Sequence, residues 1–199
     1  MKAFYRWCAM NPKDVTGVIL CGEKSKRMGF DKALIHFKGR YVLEETAMTL
    51  EEIFPNVLLV TDHKQKFPTR LLANHVFLED EFIQKGPLGG LVTALRHIDT
   101  PYVFLVACDI PDITVTKIRQ LFEYVEDEQV ILFSGEKLET LFTFYHHSCL
   151  PQFEKQLAMD NRKIRTAFDY LDVKKVKKKN IDIVNINYPA ELIYWGQRE

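Results

Sequence analysis

The sequence predicts an α/β fold, a doubly wound and mainly parallel sheet in three αβα layers. Three observations lead there. Val18–Cys21, Val57–Thr61 and Tyr102–Ala107 are apolar runs without polar alternation, the pattern of strands buried on both faces. Segments with apolar residues at helical spacing lie between such runs, as in βαβ units joined by right-handed crossovers. The chain has 199 residues, 47% of them hydrophobic, which suits one domain with a substantial core. No internal repeat or low-complexity linker divides it, so 1–199 reads as a single domain preceded by an extension over about 1–14.

The elements follow in order. Strand one covers Thr16–Cys21. Ala33–Phe37 reads as a strand-like segment that ends at Gly39 and brings Lys32 back to the preceding loop. Leu43, Ala47, Leu50 and Ile53 predict a helix over Val42–Ile53. Pro55-Asn56 turns into strand Val57–Thr61, and Val76–Leu78 is a shorter strand closed by Glu79-Asp80-Glu81. Gly86-Pro87-Leu88-Gly89-Gly90 opens a helix to Ile98, and Pro101 introduces the strongest strand, Tyr102–Ala107. A helix over Thr116–Tyr124, strand Gln129–Phe133 and the alternating strand Thr140–His146 come next. Leu150–Met159 and Ile164–Leu171 read as helices, Asp172–Val176 and Ile181–Val184 as short strands, and Pro189–Trp195 as a last helix.

Bulk properties narrow the function. Lys+Arg and Asp+Glu each number 27, so the formal net charge is zero, which argues against a general nucleic-acid or membrane-surface binder. No apolar stretch approaches a membrane span, and MKAFYRWCAMNPKD lacks the apolar core and cleavage site of a signal peptide. Cys8, Cys21, Cys108 and Cys149 are scattered and form no CxxC pair, so they read as reduced thiols of a cytoplasmic protein.

Chemistry concentrates just past strand one. Gly22, Lys24, Ser25, Lys26, Arg27, Gly29 and Lys32 combine cations, a hydroxyl and glycines at the carboxyl end of a buried strand, where open α/β sheets bind ligands. Glycine lets backbone N–H groups approach phosphate oxygen, and the cations neutralise its charge. A solvated basic turn is the plainer alternative. Asp109, at the end of YVFLVA, can hold Mg²⁺ on a nucleotide or cap the helix after Pro111. Gly86, Pro87 and Leu88 can begin a helix whose backbone approaches a base or ribose, or simply initiate a helix. Asp80 can accept hydrogen bonds from a nucleoside or belong to a surface acidic turn. Val173–Lys179 is lysine-rich and reads as a solvated edge strand.

These residues also carry a resemblance. LCGEKSKRMGFDK is similar to the L-x-G-G-x-S-x-R-M-G-x-D-K loop of sugar-phosphate and cofactor nucleotidyltransferases, most of all to the molybdenum cofactor guanylyltransferase (MobA-type) family. One position departs: the second glycine of the pattern is Glu23 here. VFLED with GPLGG, FLVACDIP, and VNINYPAEL near the C-terminus resemble the family's further elements in order and spacing, so the likeness spans about residues 16–195. It implies a Rossmann-like nucleotidyltransferase fold that moves GMP from GTP to molybdopterin, with Mg²⁺ as cofactor. A nucleotide-binding half over about 16–110 and a second-substrate half over about 111–199 follow from it. Carried over by position, Leu20, Cys21 and Gly22 would contact the nucleotide through backbone, and Arg27 and Lys32 its phosphates. Thr61 and Asp80 would contact the guanosine, and Asp109 would ligate Mg²⁺. Asn185 and Asn187, with Arg162 or Arg165, would face the pterin, delivered with or without molybdenum, and molybdoenzyme-assembly proteins are the implied partners. A CTP-using sister enzyme and a non-catalytic scaffold are the rivals. A nicotinamide dehydrogenase would need G-x-G-x-x-G after strand one, which Gly22-Glu23-Lys24 does not supply.

Overall fold

The computed structural model describes residues 10–22, 31–37, 39–178 and 181–183. The chain enters through a 3-10 turn, Pro12–Asp14, into β1 (Val15–Leu20). After Asp31 come a 3-10 turn, Lys32–Leu34, and a small hairpin of β2 (His36–Phe37) and β3 (Arg40–Tyr41). Helix α1 (Val42–Glu51) begins where Glu44 accepts a hydrogen bond from the Tyr41 backbone N–H at 3.0 Å. Then follow β4 (Asn56–Thr61), the 3-10 turn Lys64–Lys66, α2 (Thr69–Asn74) and β5 (Val76–Glu79). Next are α3 (Pro87–His97), β6 (Tyr102–Ala107), α4 (Val115–Phe122), β7 (Val130–Ser134) and β8 (Leu138–His146). The described part closes with α5 (Leu150–Ala158), a 3-10 segment Ile164–Tyr170 and β9 (Val173–Lys177).

One seven-stranded sheet runs in the order β5-β4-β1-β6-β8-β7-β9. Strand β8 is antiparallel to both β6 and β7; the other pairings are parallel. Because successive strand residues point to opposite faces, the apolar runs without alternation build two cores. One face carries Ile19, Phe104, Phe133, Phe142 and Phe144 against Leu43, Ala47 and Leu50 of α1, Leu71 of α2 and Ile118 and Leu121 of α4. The other carries Val18, Val103, Leu105 and Leu132 against Leu88, Leu91 and Leu95 of α3 and Phe153 and Leu157 of α5. Gly17 explains how closely α1 lies on β1: a Cβ there would meet Leu50 Cδ1 at 3.2 Å and Phe54 Cδ2 at 3.3 Å.

Several boundaries differ from the sequence expectation for physical reasons. Of Ala33–Phe37, only His36–Phe37 forms a strand; Ala33 and Leu34 lie in a capped turn, since the Asp31 carboxylate accepts from the Ala33 N–H at 3.0 Å. Ile164–Tyr170 is a 3-10 helix, and its buried residues Ile164 and Ala167 stand three apart, one turn of that helix. Helix α2 carried no readable period at six residues. No strand forms over 181–183, where Lys117 Nζ donates to the Asp182 carbonyl at 2.7 Å and a side chain takes the place of a ladder. The expected helix Pro189–Trp195 lies outside the described residues. Among the described residues, no helix is long and apolar enough to cross a membrane.

Phe104 tests the aromatic face. It is fully buried, with ring centroids 4.6 Å from Phe144, 5.0 Å from Phe142 and 5.7 Å from Phe54. Phe104→Ala removes a ring that none of these neighbours can replace, so urea unfolding should show a loss of about 3–5 kcal/mol. A loss under about 1 kcal/mol would contradict a close-packed face.

Candidate active site

The site is built by strands that stop level. In register, Leu20 of β1 faces Val60 of β4 and Ala107 of β6. The ladder then runs one step past each strand: the Cys21 N–H donates to Val60 O at 2.7 Å, Cys108 N–H to Leu20 O at 3.1 Å, and Asp80 N–H to Thr61 O at 2.7 Å. Backbone bonds therefore fix Cys21, Asp80 and Cys108 before any side chain acts. At Gly22 a Cβ would come within 3.2 Å of the Asp62 backbone nitrogen, so glycine keeps the exit from β1 close to the end of β4.

Lys32 and Asp109 meet here although 77 positions separate them, with Nζ 2.7 Å from Oδ2. Both side chains are largely buried, at 12% and 16% exposure. The other carboxylate oxygen, Asp109 Oδ1, is buried and has no hydrogen-bond partner among the described residues. A buried acceptor without a donor is costly, and a bound cation is one way to satisfy it. A single carboxylate completed by substrate phosphates is an ordinary Mg²⁺ arrangement, so the residues present fit that ion. No cluster of three or more His, Cys, Asp or Glu able to hold a metal occurs among the described residues.

A second cation stands beside the first. Lys66 Nζ lies 2.7 Å from each of Asp31 Oδ2, Asp62 Oδ1 and the Cys21 carbonyl. Burial alone would lower the lysine's pKa, but the two carboxylates outweigh it and the value is raised. Burial likewise pushes Asp62 up, but the hydrogen bond and charge of Lys66, with hydrogen bonds from the His63 N–H and the Thr61 hydroxyl, together leave it below the usual value. Sequence reasoning missed Asp31, Asp62 and Lys66. The Asp31-Lys32 pair and Asp62 at the end of β4 were visible, but nothing local linked them to Lys66.

The other expected residues have these places. Thr61 is fully buried and its hydroxyl donates to Asp62 Oδ1 at 3.2 Å, so in this conformation it presents no surface to a ligand. Asp80 Oδ1 accepts from the Phe82 N–H and the Thr93 hydroxyl, both at 2.8 Å. Burial raises its pKa, and the nearby Asp62 and Glu81 charges add to the rise. Gly86 (φ 67°), Pro87 and Leu88 do open α3. The glycines behind them are needed for packing: a Cβ at Gly89 would lie 2.8 Å from Phe82 O, and one at Gly90 2.8 Å from Leu20 Cδ2. Cys108 is a poor nucleophile, since its contact with the Cys21 thiol and its burial hold its pKa well above the ordinary value.

Arg162 donates to Gln84 O at 3.0 Å and, like Lys85, pairs with Asp160, joining the loop after α5 to the loop before α3. Arg165 is exposed. No ion pair or hydrogen bond among the described residues joins either arginine to Asp109. Arg27, Glu23, Asn185 and Asn187 lie outside the described residues. Lys117 also holds the Asp112 carboxylate at 2.5 Å, which anchors the chain at Asp182 beside the loop after Asp109.

A family model described as "MobA-like NTP transferase domain" matches residues 17–175. A relative from Vibrio cholerae named molybdenum cofactor guanylyltransferase is 31% identical over 193 residues, covering 94% of each chain. One of the same name from Vibrio parahaemolyticus is 29% identical over 96% of this chain and 99% of its own. Among solved structures, molybdopterin-guanine dinucleotide biosynthesis protein A from Archaeoglobus fulgidus superposes with a TM-score of 0.77, covering 92% of this chain and 97% of that one. At 21% identity that likeness speaks for the fold. A putative protein from Aquifex aeolicus VF5 gives 0.75 at 27% identity, over 92% and 98%.

Asp80 yields a test with a definite sign. Its raised folded pKa means that it is protonated in both states at pH 3, and that its burial penalty grows as pH rises through 3.8 and then the folded value. Asp80→Asn keeps an acceptor for Phe82 and Thr93 and removes the charge. The variant's Tm advantage over the wild type should be near zero at pH 3 and largest at neutral pH. A variant less stable at pH 7 than at pH 3, relative to wild type, contradicts the assignment.

Proposed function

Because the chain belongs to the MobA-like NTP transferase family, whose model matches most of its length, we propose that it transfers GMP from GTP to the phosphate of molybdopterin. The observation that carries this reading is the Lys32–Asp109 pair, with an Oδ1 that has no partner among the described residues, set at the shared carboxyl end of β1 and β6. The products are molybdopterin guanine dinucleotide and pyrophosphate. An acceptor phosphate oxygen forms a bond to the α-phosphorus of GTP while the bond to the β-phosphate oxygen breaks. The attacking oxygen is already anionic near neutral pH, so no nucleophilic side chain or strong general base is required. The protein's contribution is positioning and charge neutralisation.

Each residue has a part in that scheme. Asp109 is the ligand for Mg²⁺, which when bound draws charge from the phosphate oxygens. Lys32, and Arg27 by resemblance, neutralise the triphosphate and the leaving pyrophosphate. Backbone at Leu20, Cys21 and Gly22 borders the nucleotide, while Asp80 and the start of α3 at Gly86, Pro87 and Leu88 border the guanosine. Arg162, Arg165, Asn185 and Asn187 are assigned to the molybdopterin side. The 16–110 and 111–199 halves thus divide the two substrates. Free thiols at Cys21, Cys108 and Cys149 suit work in a reducing cytoplasm.

The experiment is thermal stabilisation by GTP, CTP, ATP and UTP, each with and without Mg²⁺, since a ligand of the folded state raises stability by RT ln(1 + [L]/Kd). GTP with Mg²⁺ should give the largest shift. Asp109→Asn should abolish the Mg²⁺-dependent part and lower turnover by about 10²-fold or more. A larger shift with CTP moves the base assignment to cytidylyl transfer, and wild-type turnover by Asp109→Asn sinks the metal role.

A further inference from the structure

Lys66 lies in the 3-10 turn after β4 and is no part of the loop that carries the expected phosphate-binding cations. Its ammonium donates to Asp62 Oδ1 and Cys21 O and forms an ion pair with Asp31 Oδ2, each at 2.7 Å. The lysine side chain is 15% exposed, and the carboxylates of Asp31 and Asp62 are 12% and 14% exposed. Two of its three partners sit on either side of residues 22–30, so one ammonium holds the chain where it leaves β1 and where it returns.

The consequence reaches the reacting end through Asp31. Its Oδ2 is held by Lys66, and its Oδ1 accepts from the Ala33 N–H at 3.0 Å, capping the turn that carries Lys32. Lys32 then reaches across to Asp109 at 2.7 Å. Without Lys66, two largely buried carboxylates would be left without that counter-charge, and no other ion pair to them occurs among the described residues. Asp31, next in sequence to Lys32, would compete with Asp109 for the remaining ammonium.

We propose that Lys66 is a positioning residue of the transfer site: by neutralising Asp31 and Asp62 it keeps the Lys32 ammonium on Asp109 and available to phosphate. Calling this a transfer site rests on the function proposed above, whereas the placement of Lys32 rests on geometry alone. Lys66 touches no reacting atom and acts through Asp31.

The test compares wild type with Lys66→Met, Lys66→Arg and the double variant Lys66→Met/Asp62→Asn. Asp62→Asn removes one of the two opposed charges, so the double variant should recover most of the Tm lost by Lys66→Met and carries the test even where the single variant folds poorly. With GTP and Mg²⁺ as the probe, both Met variants should bind about tenfold more weakly, and kcat should fall by at least as much, while Lys66→Arg retains most of both. A crystal structure of the double variant should place Lys32 Nζ out of hydrogen-bond reach of Asp109 Oδ2. A stable double variant with wild-type Kd and kcat, and with Lys32 still 2.7 Å from Asp109, overturns the proposal. If the wild type binds no nucleotide, the functional reading falls, and the Lys32–Asp109 separation in the variant still decides the positioning claim.

Discussion

Two lysine ammoniums matched against three carboxylates at the ends of β1, β4 and β6 are the constraint on which the rest of the site depends. Lys32 meets Asp109, and Lys66 meets Asp31 and Asp62. All five side chains are largely buried, so none can find its counter-charge in water. Breaking such a pair by removing one partner typically costs about 3–5 kcal/mol, because the survivor stays buried and uncompensated. The charges hold one another in place and leave one acceptor of the group, Asp109 Oδ1, without a donor among the described residues.

The fold makes this arrangement possible by stopping three parallel strands at one level. Their registers align Leu20, Val60 and Ala107, and the ladder bonds beyond them fix the backbone of Cys21 and Cys108. Both faces of the sheet are covered, one by α1, α2 and α4 and the other by α3 and α5. Polar groups at the strand ends are therefore shielded from bulk water on two sides, which strengthens the ion pairs and makes an unpaired acceptor expensive. Gly17 and Gly90 permit the closeness: one lets α1 lie on β1, the other seats α3 against Leu20.

Family membership and site geometry support each other from independent directions. The match covers residues 17–175, which contains Lys32, Asp80 and Asp109. The geometry brings Lys32 to Asp109 at the end of β6. Asp80 contributes differently from the cations. Its carboxylate ties the turn after β5 to Thr93 of α3, and the raised pKa records the cost of holding a charge there.

How much of this was legible depends on the range of the interaction that decides each feature. The apolar runs Val18–Cys21, Val57–Thr61 and Tyr102–Ala107 by themselves determined buried strands, and the helical spacing of Leu43, Ala47, Leu50 and Ile53 determined the helix after the first of them. Gly22, Lys32 and Asp109 were legible as candidates because their residue types fit a phosphate and a cation at strand ends. Boundaries set by one capping bond, as at Asp31, and helices of six residues, as at α2, carry too little periodic signal to read. The partners of each charge were decided only by the tertiary structure. Lys32 and Asp109 stand 77 positions apart, and Lys66 is 45 from Cys21, so their pairing depends on the strand order β4-β1-β6 and on its register. Sequence records the identity of a charge, whereas its counter-charge is chosen by the sheet that brings distant strand ends within 3 Å.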